Sequence, residues 1–223
     1  MKKNNLALFD LDDTLFDGDT EGEWVKYMDQ AGLIQDPEFF NEMESFGKSY
    51  RQGDLNVDEY SEFLLSPLVG KNLKELEDKI DIFTSDVIDR LTDELTEELL
   101  LKHRDDTKIL TSGSLTFLVK VIGQKMGIET CFGTDPEYKD NVFTGKVEGS
   151  PNFSEEKVRR IKIWMQSNHF EKIFAYSDSI HDLPLLEFSD IPSAISPDKK
   201  LLKVAEERKW MVEGRRNTTR SLP

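Results

Sequence analysis

The chain opens on a short, wholly apolar run, Leu6-Ala7-Leu8-Phe9, that ends in a burst of acids from Asp10 to Asp13. Continuous apolar runs of this length are the pattern of strands buried on both faces, as in parallel sheets. A second run, Lys108-Ile109-Leu110-Thr111, is followed by Ser112-Gly113-Ser114 and an apolar-periodic stretch from Leu115 to Met126, which predicts strand, turn and helix in order. Further strands are predicted near Thr130–Phe132, over Ile173–Tyr176 and over Ile191–Ile195, and Val142–Val147 around Thr144-Gly145 predicts a hairpin arm. Between them, Glu155–Gln166 carries Val158, Ile161 and Trp164 at helical spacing, with Ser154 as the expected N-cap. Strands alternating with helices predict an α/β fold, a doubly wound (Rossmann-like) parallel sheet.

From Asp17 to Arg104 the period changes. Helical patterns fall at Trp24–Ala31, Val57–Leu65, Leu73–Ile80 and Val87–Leu101, with Asp36-Pro37 and Ser66-Pro67 as turns. The expected organisation is therefore a core of residues 1–16 and 105–223 and an inserted all-helical domain of residues 17–104. The terminal Asn217–Pro223 is expected to fray.

Composition narrows the function classes. The 44 acidic against 29 basic residues give a formal net charge of −15, which repels nucleic acid and anionic lipid. No stretch reaches the roughly 18 apolar residues of a membrane span, and the start lacks a secretory apolar region, so a cytoplasmic protein is expected. The single cysteine, Cys131, forbids an internal disulfide and reads as a structural thiol.

The acids carry the chemistry. Alternation along a strand puts Asp10 and Asp12 on one side of its carboxyl end, where ligands bind in open α/β sheets. Asp178 and Asp182 follow another strand and are expected to reach the same crevice. Three or four converging carboxylates form a hard-oxygen site suited to Mg²⁺. A calcium loop over Asp10–Glu21 fails on spacing, because no register supplies the acid ladder, the central Gly and the terminal Glu.

The run Phe9-Asp10-Leu11-Asp12-Asp13-Thr14-Leu15 resembles the first motif of the haloacid dehalogenase superfamily, Asp-x-Asp-x-Thr. Ser112 after a strand resembles its second motif, with Thr111 as rival. Lys157 resembles the third, among the equally basic Arg159, Arg160 and Lys162. Ser177-Asp178-Ser179-Ile180-His181-Asp182 resembles the fourth, with His181 where the family usually has Asn. The helical insert resembles the cap of the phosphoserine phosphatase branch.

The resemblance implies a Mg²⁺-dependent phosphatase acting on a small phosphate monoester. Asp10 would be the nucleophile and Asp12 the general acid and base. Ser112 and the Gly113 amide, at a helix N-terminus, would hold phosphoryl oxygens together with Lys157. The metal would lie on the Asp10 carboxylate, the Asp12 carbonyl and Asp178, with Asp182 orienting bound water. Asp19 lies where that branch places an acid for a substrate amine. The place of its carboxylate-clamping arginine falls on Glu62, with Arg51 or Lys48 as possible substitutes. An acid-lined cap of Asp19, Glu21, Asp58 and Glu62 points to an amino-alcohol phosphate rather than phosphoserine. A phosphotransferase or phosphomutase with the same nucleophile, and a silent metabolite-binding protein, are the alternatives.

Overall fold

The computed structural model describes residues 4–166 and 168–215; the tail expected to fray, Asn217–Pro223, lies outside them. Six strands form one parallel sheet in the order β3-β2-β1-β6-β7-β8: Thr130–Thr134, Thr107–Leu115, Asn5–Phe9, Lys172–Ser177, Ile191–Ile195 and Met211–Glu213. β1 lies in the centre, pairing Leu6 with Thr107 on one side and with Ile173 on the other. Both its faces are covered, which accounts for its unbroken apolar run. Ala7 and Phe9 join one buried cluster, Leu6 and Leu8 the other. The second cluster lies under helices α7 (Glu155–Met165), α8 (Leu183–Phe188) and α9 (Lys199–Arg208), and helix α6 (Thr116–Lys125) lies on the first. The expected hairpin arm, β5 (Val142–Val147), pairs antiparallel with β4 (Pro136–Lys139).

The segment between β1 and β2 is helical throughout: α1 (Thr20–Gln30), α2 (Phe39–Gln52), α3 (Val57–Leu65), α4 (Leu73–Leu91) and α5 (Glu94–Lys102). Its interior is continuous with one face of the sheet, since Trp24 packs edge-on against both Phe83 of α4 and Phe117 of α6. The two chain crossings into this segment are tied together. The Asp17 amide donates to the Leu91 carbonyl at 2.9 Å, and the Thr96 hydroxyl donates to the Leu15 carbonyl.

Three local expectations change. No breaker separates Ile80 from Val87, so α4 runs through to Leu91, and a capping box at Asp93 and Thr96 starts α5 afresh. α2 went unread although Phe39, Met43, Phe46 and Tyr50 stand at helical spacing along it; Phe39 is its only fully buried residue. Ser154 adopts φ 51° and makes no capping bond to the α7 amides. Among the described residues no helix is long and apolar enough to cross a membrane.

Candidate active site

β1 ends at Phe9, so Asp10 and Asp12 lie in the turn beyond it, and strand alternation is not what brings them together. The turn does so. Asp13 takes the left-handed conformation, φ 53°, which Asp tolerates better than most residues, and its amide donates to the Gly18 carbonyl at 2.9 Å. The chain thereby doubles back and both carboxylates face one cavity of about 370 Å³ between the sheet and the helical segment.

Lys157, on the first turn of α7, is 3% exposed and donates to Asp10 Oδ1 at 2.8 Å and to Asp182 Oδ2 at 2.7 Å. Its basic neighbours point elsewhere: Arg159 pairs with Glu156, and Arg160 with Glu156 and Asp135. Burial works against the Lys157 ammonium, but the two carboxylates outweigh it and push its pKa up. One cation neutralises only one of two acids. Burial therefore raises Asp10 to about 7 despite Lys157, with Asp182 and Asp12 adding to the effect.

On the other side, the Thr14 hydroxyl lies 3.0 Å from Asp10 Oδ2 and 3.2 Å from Asp178 Oδ1; its single proton serves one of them at a time. The Asp178 amide donates to the same oxygen at 2.9 Å. Burial, then Asp10 and Asp13, raise the Asp178 carboxyl well above its ordinary value. A buried acid, Asp10, and a half-buried one, Asp178, flanking one hydroxyl make a place where a cation is stabilising.

The four expected acids, Asp10, Asp12, Asp178 and Asp182, all line this cavity, but among the described residues no three acidic, histidine or cysteine side chains form a ready-made metal nest. The reason is that two of the four acids are engaged elsewhere. Asp12 Oδ2 accepts from the Ser112 and Ser114 hydroxyls, both at 2.9 Å, and Asp12 Oδ1 from the Thr20 amide. Asp182 Oδ2 accepts from Lys157 and from Ser177 at 2.9 Å. Two carboxylates, Asp10 and Asp178, are nevertheless enough for Mg²⁺, which keeps several waters and takes few protein ligands. The donor set fits that ion.

Ser112 and Gly113 belong to β2, which continues to Leu115, and helix α6 begins only at Thr116, so neither residue is at the helix N-terminus. Ser112 is fully buried and turned to Asp12, whereas Gly113 and Ser114 line the cavity. Asn152 braces this segment from behind, donating to the Ser112 carbonyl at 2.9 Å and to the Thr111 hydroxyl at 3.0 Å. Thr111, the rival to Ser112, is thereby placed in the core.

The helical segment forms the far wall. Asp19, the N-cap of α1, and Glu21 both line the cavity, while Asp58 and Glu62 are exposed and do not. They project to solvent from the outer side of α3, because Ser61, Phe63 and Leu64 take its inner face. Asp19 is open to the cavity yet closely surrounded by protein. Burial and Asp12 raise it to about 6, and burial with Asp19 and Asp12 raises Glu21 to about 8. Arg51 lines the cavity; Lys48 is exposed and paired with Glu44. His181 is packed between Tyr50 and Phe153, with ring centroids at 5.1 and 5.0 Å.

Sequence reasoning missed Ser114, Thr20, Asn152, Tyr50 and Tyr60, and also Arg215. Arg215 is buried, donates to the Thr14 carbonyl at 2.6 Å and pairs with Asp93 between α4 and α5. The Ser-x-Ser spacing of Ser112 and Ser114 was the available signal, since alternate strand residues share a face.

The model of one family, haloacid dehalogenase-like hydrolase, matches residues 7–187. A histidinol-phosphatase of Neisseria meningitidis serogroup C (strain 8013) is 32% identical over 217 residues, covering 93% of this chain and 97% of that protein. A phosphoserine phosphatase of Methanocaldococcus jannaschii is 26% identical over 207 residues, covering 91% and 90%. Among solved structures, a protein of unknown function from Bordetella pertussis Tohama I superposes with a TM-score of 0.85 at 30% identity, over 95% of this chain and 98% of that one. The chain belongs to the haloacid dehalogenase-like hydrolases.

Proposed function

We propose that this phosphatase hydrolyses a small amino-alcohol phosphate in the presence of Mg²⁺, through a phosphoryl group carried transiently on Asp10. The observation that carries the reading is the division of labour between neighbouring acids: Asp10 is held by Lys157 and Thr14, while Asp12 is held separately by Ser112, Ser114 and Thr20. Two like groups in different settings suit different roles.

In the first step an Asp10 oxygen bonds to phosphorus as the ester P–O bond breaks. The electron pair leaves on the alcohol oxygen, which takes a proton from Asp12. In the second, Asp12, now a carboxylate, takes a proton from water, whose oxygen bonds to phosphorus as the Asp10–phosphorus bond breaks. We assign the Gly113 amide, Ser114 and Lys157 to the phosphoryl oxygens, with Ser112 acting through Asp12. Mg²⁺ would be held by the Asp10 and Asp178 carboxylates and the Asp12 carbonyl, where it would neutralise phosphoryl charge. Asp182 acts by fixing Lys157. Residues 17–104 serve as a cap whose closure excludes bulk water.

For the alcohol, Asp19 on the cap wall supports an amine, and the relative named histidinol-phosphatase supports the amino-alcohol class. Arg51 in the cavity lining favours a second reading, phosphoserine, whose carboxylate it could clamp. A panel of phosphomonoesters assayed with Mg²⁺ decides. The proposal expects an amino-alcohol phosphate to give the highest kcat/KM; phosphoserine leading by about tenfold or more, a difference of roughly 1.4 kcal/mol, would overturn it. Phosphate esters interconverted with little release of inorganic phosphate would point to a mutase.

A further inference from the structure

The cap wall holds one more acid than an amine requires. Glu21 Oε2 accepts from the Tyr60 hydroxyl at 3.1 Å, and the Glu21 side chain lines the cavity next to Asp19. Asp19 is spent in part on capping α1, accepting from the Glu21 amide at 2.9 Å. Among the described residues neither carboxyl has an ion pair with a lysine, arginine or histidine. The cavity's buried cation, Lys157, is committed to Asp10 and Asp182 at its opposite end.

Arg51 also lines the cavity but is ion-paired with neither acid, and two acids side by side on one wall repel each other and lose hydration, a cost that an entering cation reverses. The raised Glu21 carboxyl is the same cost seen in its proton affinity. Tyr60 then has a definite part: its hydroxyl fixes one carboxylate oxygen and leaves the other for the ligand. Around the pair, Phe46 and the Tyr60 ring supply flat apolar surface, which suits a planar group and attracts a cation over its faces.

We propose that Glu21, oriented by Tyr60, is a specificity-determining residue that takes a second basic nitrogen of the substrate, beside the amine on Asp19. The substrate class is thus the phosphate ester of an alcohol bearing two basic nitrogen groups, one of them in a planar ring. The inference rests on the cavity being the phosphate-ester site.

The test compares wild type, Glu21→Gln and Tyr60→Phe on three esters: histidinol phosphate, phosphoethanolamine and an aryl phosphate. The first has two basic nitrogens, the second one, the third none. Glu21→Gln is expected to lower the ratio of kcat/KM for histidinol phosphate over phosphoethanolamine by about 10-fold to 100-fold, mainly through KM, as loss of a charge-assisted hydrogen bond does. Tyr60→Phe should lower it less. An unchanged ratio, with all three esters falling alike or none falling, overturns the proposal. Calorimetric titration with free histidinol needs no turnover: binding to wild type that weakens about tenfold or more in Glu21→Gln supports the Glu21 assignment even if no ester is hydrolysed. Equal binding by both proteins, or none to wild type, refutes it.

Discussion

Lys157 is the fixed charge on which the site's electrostatics depend, and Lys157→Met removes it while keeping an unbranched apolar stem. Its ammonium touches Asp10 at 2.8 Å and Asp182 at 2.7 Å, and all three side chains are buried. Removing one member of a buried ion pair costs about 3–5 kcal/mol because the partner charge is stranded. For a domain of this size that lowers Tm by roughly 6–20 °C. The sign with pH follows from Asp10. Its folded-state pKa already exceeds the ordinary value, at about 7, and rises further without the ammonium. An acid raised in this way is tolerated when protonated, so the variant's stability is retained at low pH and lost as pH rises through that value. The deficit against wild type should therefore be small at pH 5 and large at pH 8, read by circular dichroism melts. Adding Asp182→Asn should recover part of it, because one stranded charge is gone. Rates should fall by about 10²–10³ in kcat, the loss typical of a donor to a developing charge. A variant as stable as wild type at pH 8, or more deficient at pH 5 than at pH 8, would contradict a stabilising role for the Lys157 ammonium.

Three other outcomes follow from the geometry. A Cβ on Gly133 would lie 2.6 Å from the Ser114 carbonyl oxygen and 2.7 Å from the Thr116 Cα, both backbone, so Gly133→Ala should cost about 1–3 kcal/mol in chemical denaturation and slow turnover by shifting Ser114 from Asp12. Wild-type kcat in that variant would contradict the bracing described. Arg215→Ala unpairs the half-buried Asp93 and leaves the Thr14 carbonyl without its donor, and should lower stability by about 1–3 kcal/mol in urea unfolding; an unchanged midpoint would contradict a structural part for Arg215. Glu21 is raised from 4.5 to about 8, so its stability contribution is complete below pH 4.5 and lost as pH climbs through 8. The Tm of Glu21→Gln should match wild type near pH 4.5 and exceed it increasingly up to pH 8, and a gap of constant size would be inconsistent with the burial of that carboxyl.

Much of this arrangement is legible before any coordinates. The buried strand Leu6–Phe9, the serine pair near the end of β2 and the acids after β6 are short-range patterns, and each predicted strand exists. Lys157 is separable from Arg159 and Arg160 only by burial, a tertiary property. The same limit hid Arg215, more than 200 residues along the chain from the Thr14 carbonyl it bonds. Asp58 and Glu62 failed as cap-wall acids because the inner face of α3 is decided by packing of Phe63 and Leu64, not by charge. Ser114 escaped notice for a different reason: a hydroxyl two residues beyond Ser112 carries no hydrophobic signal, and only the strand spacing puts both on Asp12. His103, without any readable pattern, lies buried between Asp106 at 2.8 Å and Tyr176 at 2.7 Å, which fastens the end of α5 to β6.

In the proposed reaction Asp10 itself bonds to phosphorus. Asp12→Asn removes the acid of the first step as well as the base of the second, so the decisive measurement gives that variant an aryl phosphate, whose leaving group needs no proton, with Mg²⁺; the phosphorylated protein should then accumulate and is read by acid quench and peptide mass mapping. One added phosphoryl group is expected on the peptide bearing Asp10, absent from Asp10→Asn. Phosphorylation at another residue, or wild-type turnover by Asp10→Asn, would contradict it.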